Sequence, residues 1–327
     1  MKDVAALAGV SLSTVSRTIN GDPKVAPDLA ARVRHAVGLL GYQRDEAASA
    51  LRRADRVSAS VAIIIEDVAN PFFSAVHRGV EDYARERGVL TLSGSSDDAA
   101  RERALAEAFV SRRVDGLVIA PAGPDHRYLE REHAAGLRLV FVDRPGHWIE
   151  ADAALSDNAG GARAAVEHLM AAGHRRIAYL GDRAWLFTAS ERFQGHRTAV
   201  GKVAPGLVHQ DLGEERAYAV TREVLAAPDP PTALFTSQNL VTLGAVRALH
   251  DLGVRDRVAH VGFDDVPLAD ALAPGLTVVA QDPHALGRTA GELLFARMNG
   301  EHGPPRRILM PTRLIRRGSG ELAAVSG

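Results

Sequence analysis

Asp3–Gly21 reads DVAALAGVSLSTVSRTING, and its spacing divides it into two short helices around a tight turn. Val4, Ala5, Leu7 and Ala8 recur at helical spacing and stop at Gly9, a residue suited to the left-handed conformation that ends a helix. Val10 follows, and Ser11 can then accept a hydrogen bond from the amides of the next turn. The segment to Asn20 places Val15 and Ile19 on one face. Two helices joined in this way form a helix-turn-helix whose apolar faces pack together, leaving Leu12, Ser13, Thr14, Ser16 and Arg17 outward. Hydroxyls at a helix start suit phosphates, because terminal amides and the helix dipole already favour an anion there. Arg17 can offer a forked donor to guanine and Leu12 can press on a thymine methyl. The same spacing also fits the first helical hairpin of an α/β protein, so spacing alone leaves both readings open.

Working outward, the next stretch, VAPDLAARVRHAVGLLGYQRD (25–45), predicts a third helix. Pro27 stands at its first position, and Leu29, Val33, Val37 and Leu40 are expected to pack on the first two helices. Residues 1–58 hold nine Lys/Arg against six Asp/Glu, leaving thirty against thirty-four for the rest of a 327-residue chain whose net charge is −1. The basic segment is therefore the one compatible with a nucleic-acid partner, although a mixed-charge surface would look similar. At 46% hydrophobic and 24% charged residues a globular protein of two or three compact units is expected. Lys2, Asp3, Ser11 and Arg17 interrupt the first twenty residues and no run of eighteen apolar residues occurs. Neither a signal peptide nor a membrane partner is expected, which places the protein in the cytoplasm. The absence of cysteine removes disulfides and thiolate metal sites.

From Val57 onward strand-like runs alternate with amphipathic helices: Val61–Ile65 then Phe72–Gly88, Leu90–Leu92 then Ala99–Arg112, Gly116–Ala120 then His126–Ala135, and Leu139–Val142. A second series has strands near Ile177–Leu180, Leu207–Gln210, Ala233–Thr236 and His260–Gly262. Such alternation predicts parallel sheets with helices on both faces, here in two similar α/β lobes. Ligands of such sheets bind beyond the carboxyl ends of the strands, which directs attention to loops starting at Glu66, Pro121, Asp143, Gly181, Asp211, Ser237 and Asp264.

The stretches 3–21 and 25–45 resemble the DNA-binding signature and third helix of the lactose-repressor/galactose-repressor family of transcription regulators. The resemblance continues through DVANPFFSAVHRGVEDYARERG (67–88), RRVDGLVIAP (112–121), SDNAGGARAAVEHLMAAGHRRIAYLG (156–181), HVGFDDVPLA (260–269) and LTVVAQDPHALGRTAGELL (276–294), weakening after about Gly318. It implies an α/β protein with an all-α DNA-binding headpiece over 1–44 and a hinge helix or linker over 45–57. A periplasmic-binding-protein-like sensor of two lobes, each with a parallel sheet, would span 58–318. Lobe 1 is expected at about 58–143 and 281–304, lobe 2 at about 146–274 and 307–318, with crossings near Asp143–Gly146, Pro274–Gln281 and Pro304–Arg307. The end, 319–327, reads as a loose tail.

By the same resemblance Ser11, Leu12, Ser13, Thr14, Ser16, Arg17 and Asn20 would contact double-stranded operator DNA. In DEAASALRR (45–53), Leu51 would wedge into a central minor-groove step, with Ala48 allowing close approach and Arg52 or Arg53 on phosphate. Ala26 stands where relatives carry a capping serine, and Arg44 and Asp45 replace a proline and an asparagine at the hinge start. In the cleft, Asp143, Arg192 and Asp264 would hydrogen-bond a small-molecule effector of sugar type, and Phe72, Phe73 and Trp185 could stack on its apolar face. Arg144, Leu212, Gln238 and Gln281 complete the expected effector set. Leu212, where purine-binding relatives stack an aromatic, speaks against a nucleobase; a phosphorylated sugar or a nucleoside stays open, since Arg144 and Arg192 could hold an anion.

The family pattern implies a homodimer that sits on a palindromic operator. Its contact is expected on the inner face of lobe 1 at Val76, Val80 and the helix around Leu286–Leu294. A transporter's solute-binding protein and a sugar-active enzyme on the same scaffold are the competing classes. No nucleophile elbow, Walker A, dinucleotide fingerprint or HExxH motif occurs. His126/His133 and His168/His174 lack an acidic ligand pattern. No cofactor, metal or catalytic residue is expected.

Overall fold

The computed structural model describes residues 1–19, 21–41, 60–202 and 206–324. The chain divides into two compact units, Met1–Ser58 and Ala59–Gly327.

The first unit carries α1 (Lys2–Ala8), α2 (Leu12–Ile19) and α3 (Pro27–Leu39) around a small core of Val4, Ala5, Ala8, Val15, Val33 and Ala36. Gly9 ends α1 at φ 59°, where its amide reaches back to Ala5 and Ala6 carbonyls. The left-handed turn and the nearness of Arg32 leave no place for a side chain there. Arg32 of α3 donates to the Ala8 and Gly9 carbonyls at 2.6 and 3.2 Å, satisfying the acceptors that the end of α1 leaves open. Ala26 offers α3 no side-chain cap. Leu40 is 46% exposed and so lies outside the core expected for it, because α3 has already ended at Leu39 and the chain turns away.

The second unit holds two six-stranded sheets. Lobe 1 contains β1 (Ser60–Ile65), β2 (Leu90–Ser95), β3 (Gly116–Ile119), β4 (Arg138–Val142), β5 (Asp152–Ser156) and β11 (Arg307–Met310), in the order β11-β5-β4-β3-β1-β2. Lobe 2 contains β6 (Ile177–Leu180), β7 (Val208–His209), β8 (Ala233–Thr236), β9 (Ala259–Phe263), β10 (Thr277–Ala280) and β12 (Arg313–Ile315), in the order β12-β10-β9-β8-β6-β7. The last strand differs between them: β11 runs parallel to β5, whereas β12 runs antiparallel to β10.

Helices cover both faces: α4 (Pro71–Arg85), α5 (Ala99–Ser111), the short α6 (Glu130–Ala134) and α11 (Pro283–Met298) in lobe 1, and α7 (Asn158–Ala171), α8 (Phe187–Val200), α9 (Glu214–Leu225) and α10 (Asn239–Asp251) in lobe 2. Strands covered on both faces read as unbroken apolar runs, and Val61–Ile65 is buried throughout. α4 and α11 cross at a pair of glycines, so close that a β-carbon on Gly287 would sit 2.0 Å from the Val76 carbonyl oxygen.

Three expectations require correction. The crossings between lobes fall at Asp157, at Gln281–Asp282 and at Pro311–Thr312, because β5 and β11 pair in the sheet of lobe 1 and β10 in that of lobe 2. β5 (DAALS) and β11 (RILM) are too short and too mixed in polarity to stand out as strands in the sequence. The end of the chain is docked as far as Ala324: Ser319 bonds to Gly275 and His260, Glu321 to Thr277 and His168, and Leu322 to His174. Val76, Val80, Leu286 and Leu294 are 0% exposed within one chain's own core, so they form no intersubunit surface.

Candidate functional site

In the headpiece, Ser11 opens α2 and its Oγ accepts from the Thr14 amide at 3.1 Å, while also meeting the hydroxyls of Ser13 (2.8 Å) and Thr14 (2.9 Å). Leu12, Ser13 and Arg17 are exposed, and Thr14 and Ser16 half-buried. Arg17 is held through its Nε to Asp22 at 2.8 Å, and that bond keeps the Asp22 carboxyl below the usual carboxylate range. The outward row of α2 is thus a polar, hydroxyl-rich face around one leucine and one tethered guanidinium. Asn20, Ala48, Leu51, Arg52 and Arg53 lie outside the described residues.

In the second unit a cavity of about 570 Å³ opens between the lobes at the carboxyl ends of the strands. Lobe 1 contributes Glu66 and Asp67 after β1, Ser95, Ser96 and Asp97 at the end of β2, and Arg101 on α5. Lobe 2 contributes Asp182 and Arg183 after β6, Asp211, Leu212 and Gly213 after β7, and Gln238 and Leu240 at the start of α10.

Beside it lies a buried polar knot. Asp143 and Asp264 follow β4 and β9, the fourth strands of their lobes, and both adopt the left-handed conformation, at φ 67° and 73°. Aspartate tolerates that conformation, and strained backbone of this kind concentrates at functional sites. Arg144 donates to the Pro121 carbonyl at 2.8 Å, pairs with Glu66 and approaches Asp143 at 3.2 Å. Arg192 donates to Asn158 and to the Ser237 carbonyl, both at 2.7 Å, covers the Phe263 ring and lies 3.9 Å from Asp264. Gln281 donates to Asp264 at 2.6 Å.

Burial pushes the Asp143 carboxyl up to about 6; Arg144 and Arg192 counter this only in part, and the charges of Glu66 and Asp264 reinforce it. Burial also raises the Glu66 carboxyl, but Arg144 and then Arg183 outweigh it, and it sits below its ordinary value. Among the described residues, side-chain contacts tie the lobes directly. Arg183 donates to Glu66 at 2.5 Å, and the side-chain amides of Asn70 and Asn239 exchange bonds at 2.7 and 3.4 Å.

The fold therefore gathers Asp143, Arg144, Arg192, Asp264 and Gln281 into one cluster and sets Leu212 and Gln238 on the cavity wall. Phe72 and Phe73 instead pack edge to face at 5.1 Å in the core of lobe 1. Trp185 is 58% exposed under the Arg183 guanidinium and is absent from the cavity lining. Sequence reasoning missed Arg183, Asp182, Asn70 and Asn158 as residues. The strand-end rule nevertheless pointed to the loops at Glu66, Gly181, Asp211 and Ser237 that carry or adjoin the lining.

A helix-turn-helix unit followed by a two-lobed, ligand-binding type of α/β unit defines a class of one-chain transcription regulators. Residues 1–45 match bacterial regulatory proteins of the lacI family, and residues 166–320 a periplasmic binding protein-like domain. The chain is 34% identical over 326 residues to the HTH-type transcriptional regulator PtxS of Pseudomonas aeruginosa, covering 98% of this chain and 95% of the relative. It is 33% identical to the HTH-type transcriptional regulator CelR of Thermobifida fusca, with 97% of each covered. The structure of a CelR–cellobiose complex matches at a TM-score of 0.72 and 31% identity, covering 97% of this chain and 98% of that one. The lac repressor dimer bound to operator and an anti-inducer shares the fold at a TM-score of 0.84 and 24% identity, with 98% of each chain covered. The protein belongs to the lacI family of bacterial transcriptional regulators. It is a DNA-binding transcriptional regulator. No helix among the described residues is long and apolar enough to cross a membrane.

Proposed function

We propose that the protein is a cytoplasmic repressor that grips a palindromic operator as a homodimer and lets go when a sugar-like effector occupies the cleft between its lobes. The observation that carries this reading is the cavity of about 570 Å³ whose two walls come from different lobes, so that its occupant gains contacts only in one lobe arrangement. Such a ligand shifts the equilibrium by its preference for that arrangement and no further. CelR, a relative, is known in complex with cellobiose, and other relatives are ribose operon repressors, which favours a carbohydrate. Operator contacts are assigned to Ser11, Leu12, Ser13, Thr14, Ser16, Arg17 and Asn20, with Ala48 and Leu51 at the minor groove and Arg52 or Arg53 on phosphate. Asp143, Arg144, Arg192, Leu212, Gln238, Asp264 and Gln281 form the effector side.

A gel-shift series on DNA upstream of the protein's own gene, repeated with a panel of sugars, tests it. Specific binding that one sugar abolishes is expected, and Arg17→Ala should weaken that binding by about 1–3 kcal/mol while relaxing selectivity at one base pair. No preference for any upstream fragment over bulk competitor overturns the reading.

A further inference from the structure

The arginines expected to leave room for an anionic effector are already engaged. Arg144 is shared among Glu66, Asp143 and the Pro121 carbonyl. Arg192 is held by Asn158 and the Ser237 carbonyl. Arg183 bridges to Glu66 and to Asp182, at 2.5 and 3.5 Å. Among the described residues lining the cavity, only Arg101 is a cation with no ion pair, and it is exposed on the first turn of α5.

Helix N-termini can also draw an anion, but three of those at the cleft carry side-chain caps. Asn70 accepts from the Phe72 amide, Asp98 from Arg101, and Gln238 from Leu240 and Val241. What the cavity presents instead is acceptors: five carboxylates line it against two guanidiniums. Asp67 and Asp211 each use Oδ1 on a backbone amide, of Ala69 at 2.8 Å and Ala184 at 3.0 Å, which leaves their second oxygens to accept from a ligand.

Resting on the reading of this cleft as the effector site, we infer that the effector is a polyhydroxy compound without an acidic group, neutral or bearing an amine, and that sugar phosphates and sugar acids are excluded. Its hydroxyls or ammonium donate to the carboxylates, whereas a phosphate or carboxylate would enter a field of its own sign with only the exposed Arg101 left unpaired to meet it.

Isothermal titration of the full-length protein against aldopentoses, aldohexoses and disaccharides, each with its amino, phosphorylated and aldonate derivative, tests this. The best ligand should be a neutral or amino compound, binding at least about tenfold tighter than its phosphate or acid derivative. A phosphate or aldonate that binds more tightly than its parent overturns the inference. Binding of no member removes the carbohydrate reading and the inference together. The variant Asp211→Asn separates the two levels, because it should lower the affinity ratio of amino to neutral ligand severalfold. A neutral or amino ligand whose ratio is unmoved, with Asp182→Asn equally silent, would mean that it sits outside this cavity, and the cleft assignment would fall on its own.

Discussion

The two lobes repeat one strand order yet stabilise their buried polar groups differently. At matching positions Asp143 and Asp264 share backbone conformation, and each donates its amide to the neighbouring strand, to Ala154 and Val279, at 3.0 and 2.9 Å. In lobe 1 the partner is a full charge, since Arg144 serves both Asp143 and Glu66. In lobe 2 it is largely neutral: Gln281 bonds Asp264, and Asn158 with a carbonyl holds Arg192. Buried histidines follow the same division. His126 Nε2 of lobe 1 lies 3.3 Å from Glu102, which also accepts from the Ala122 amide and the Tyr128 hydroxyl. In lobe 2 neither ring nitrogen of His196 has a hydrogen-bond partner, and His260 meets only the Thr236 hydroxyl through its ring. Duplicated backbone therefore sets where a polar group is buried, while the neighbouring residues set whether its charge is matched.

The largest expected effect follows from removing the charge in lobe 1. Arg144→Ala leaves the enclosed Asp143 carboxylate without its adjoining cation and Glu66 with Arg183 alone, and should cost about 3–5 kcal/mol in chemical denaturation. Arg192→Ala should cost about 2 kcal/mol, because Asp264 retains the Gln281 amide. Equal losses would break the contrast between charged and neutral partners.

Next comes acid. Burial pushes the His196 imidazole down to about 4, and burial with the Arg255 charge takes His260 to about 3, from an ordinary 6.5. A base whose folded value is depressed is bound by protons preferentially in the unfolded chain. Stability is thus complete above about pH 6.5 and falls as pH drops toward 4, by about 2 kcal/mol for His196 alone by pH 5. Hydrogen exchange should show lobe 2 opening before lobe 1 under acid, and His196→Phe should flatten that limb. Lobe 1 opening first would refute the division.

The smallest effect concerns the contact between the lobes. Asn239→Ala removes the amide pair with Asn70, at about 1 kcal/mol, and should change the effector concentration needed for DNA release severalfold while leaving Glu66–Arg183 to hold the cleft. An unchanged titration would assign closure to the ion pair alone.

Much of this was legible in the chain itself. Gly9, Ser11, Val15 and Ile19 specified the headpiece because a left-handed stop, a cap and a helical apolar stripe are local properties. Runs such as Val61–Ile65 specified covered strands, and the rule that open parallel sheets bind ligands at their carboxyl ends pointed to loops that carry or adjoin the cavity lining. Phe72 and Phe73 misled because an aromatic suits a core as well as a ligand face, and only packing decides between them.

Sequence alone determined the order of elements, the division into headpiece and sensor, and the loops that could carry a site, since each depends on residues near one another along the chain. Tertiary structure alone decided that β5 and β11 belong to lobe 1, that the last residues dock on lobe 2, and that the arginines of the cleft already have partners. Those facts depend on groups far apart in the chain, such as Arg144 with Glu66 and Arg183 with the same carboxylate. No local pattern encodes how a charge is shared across such distances.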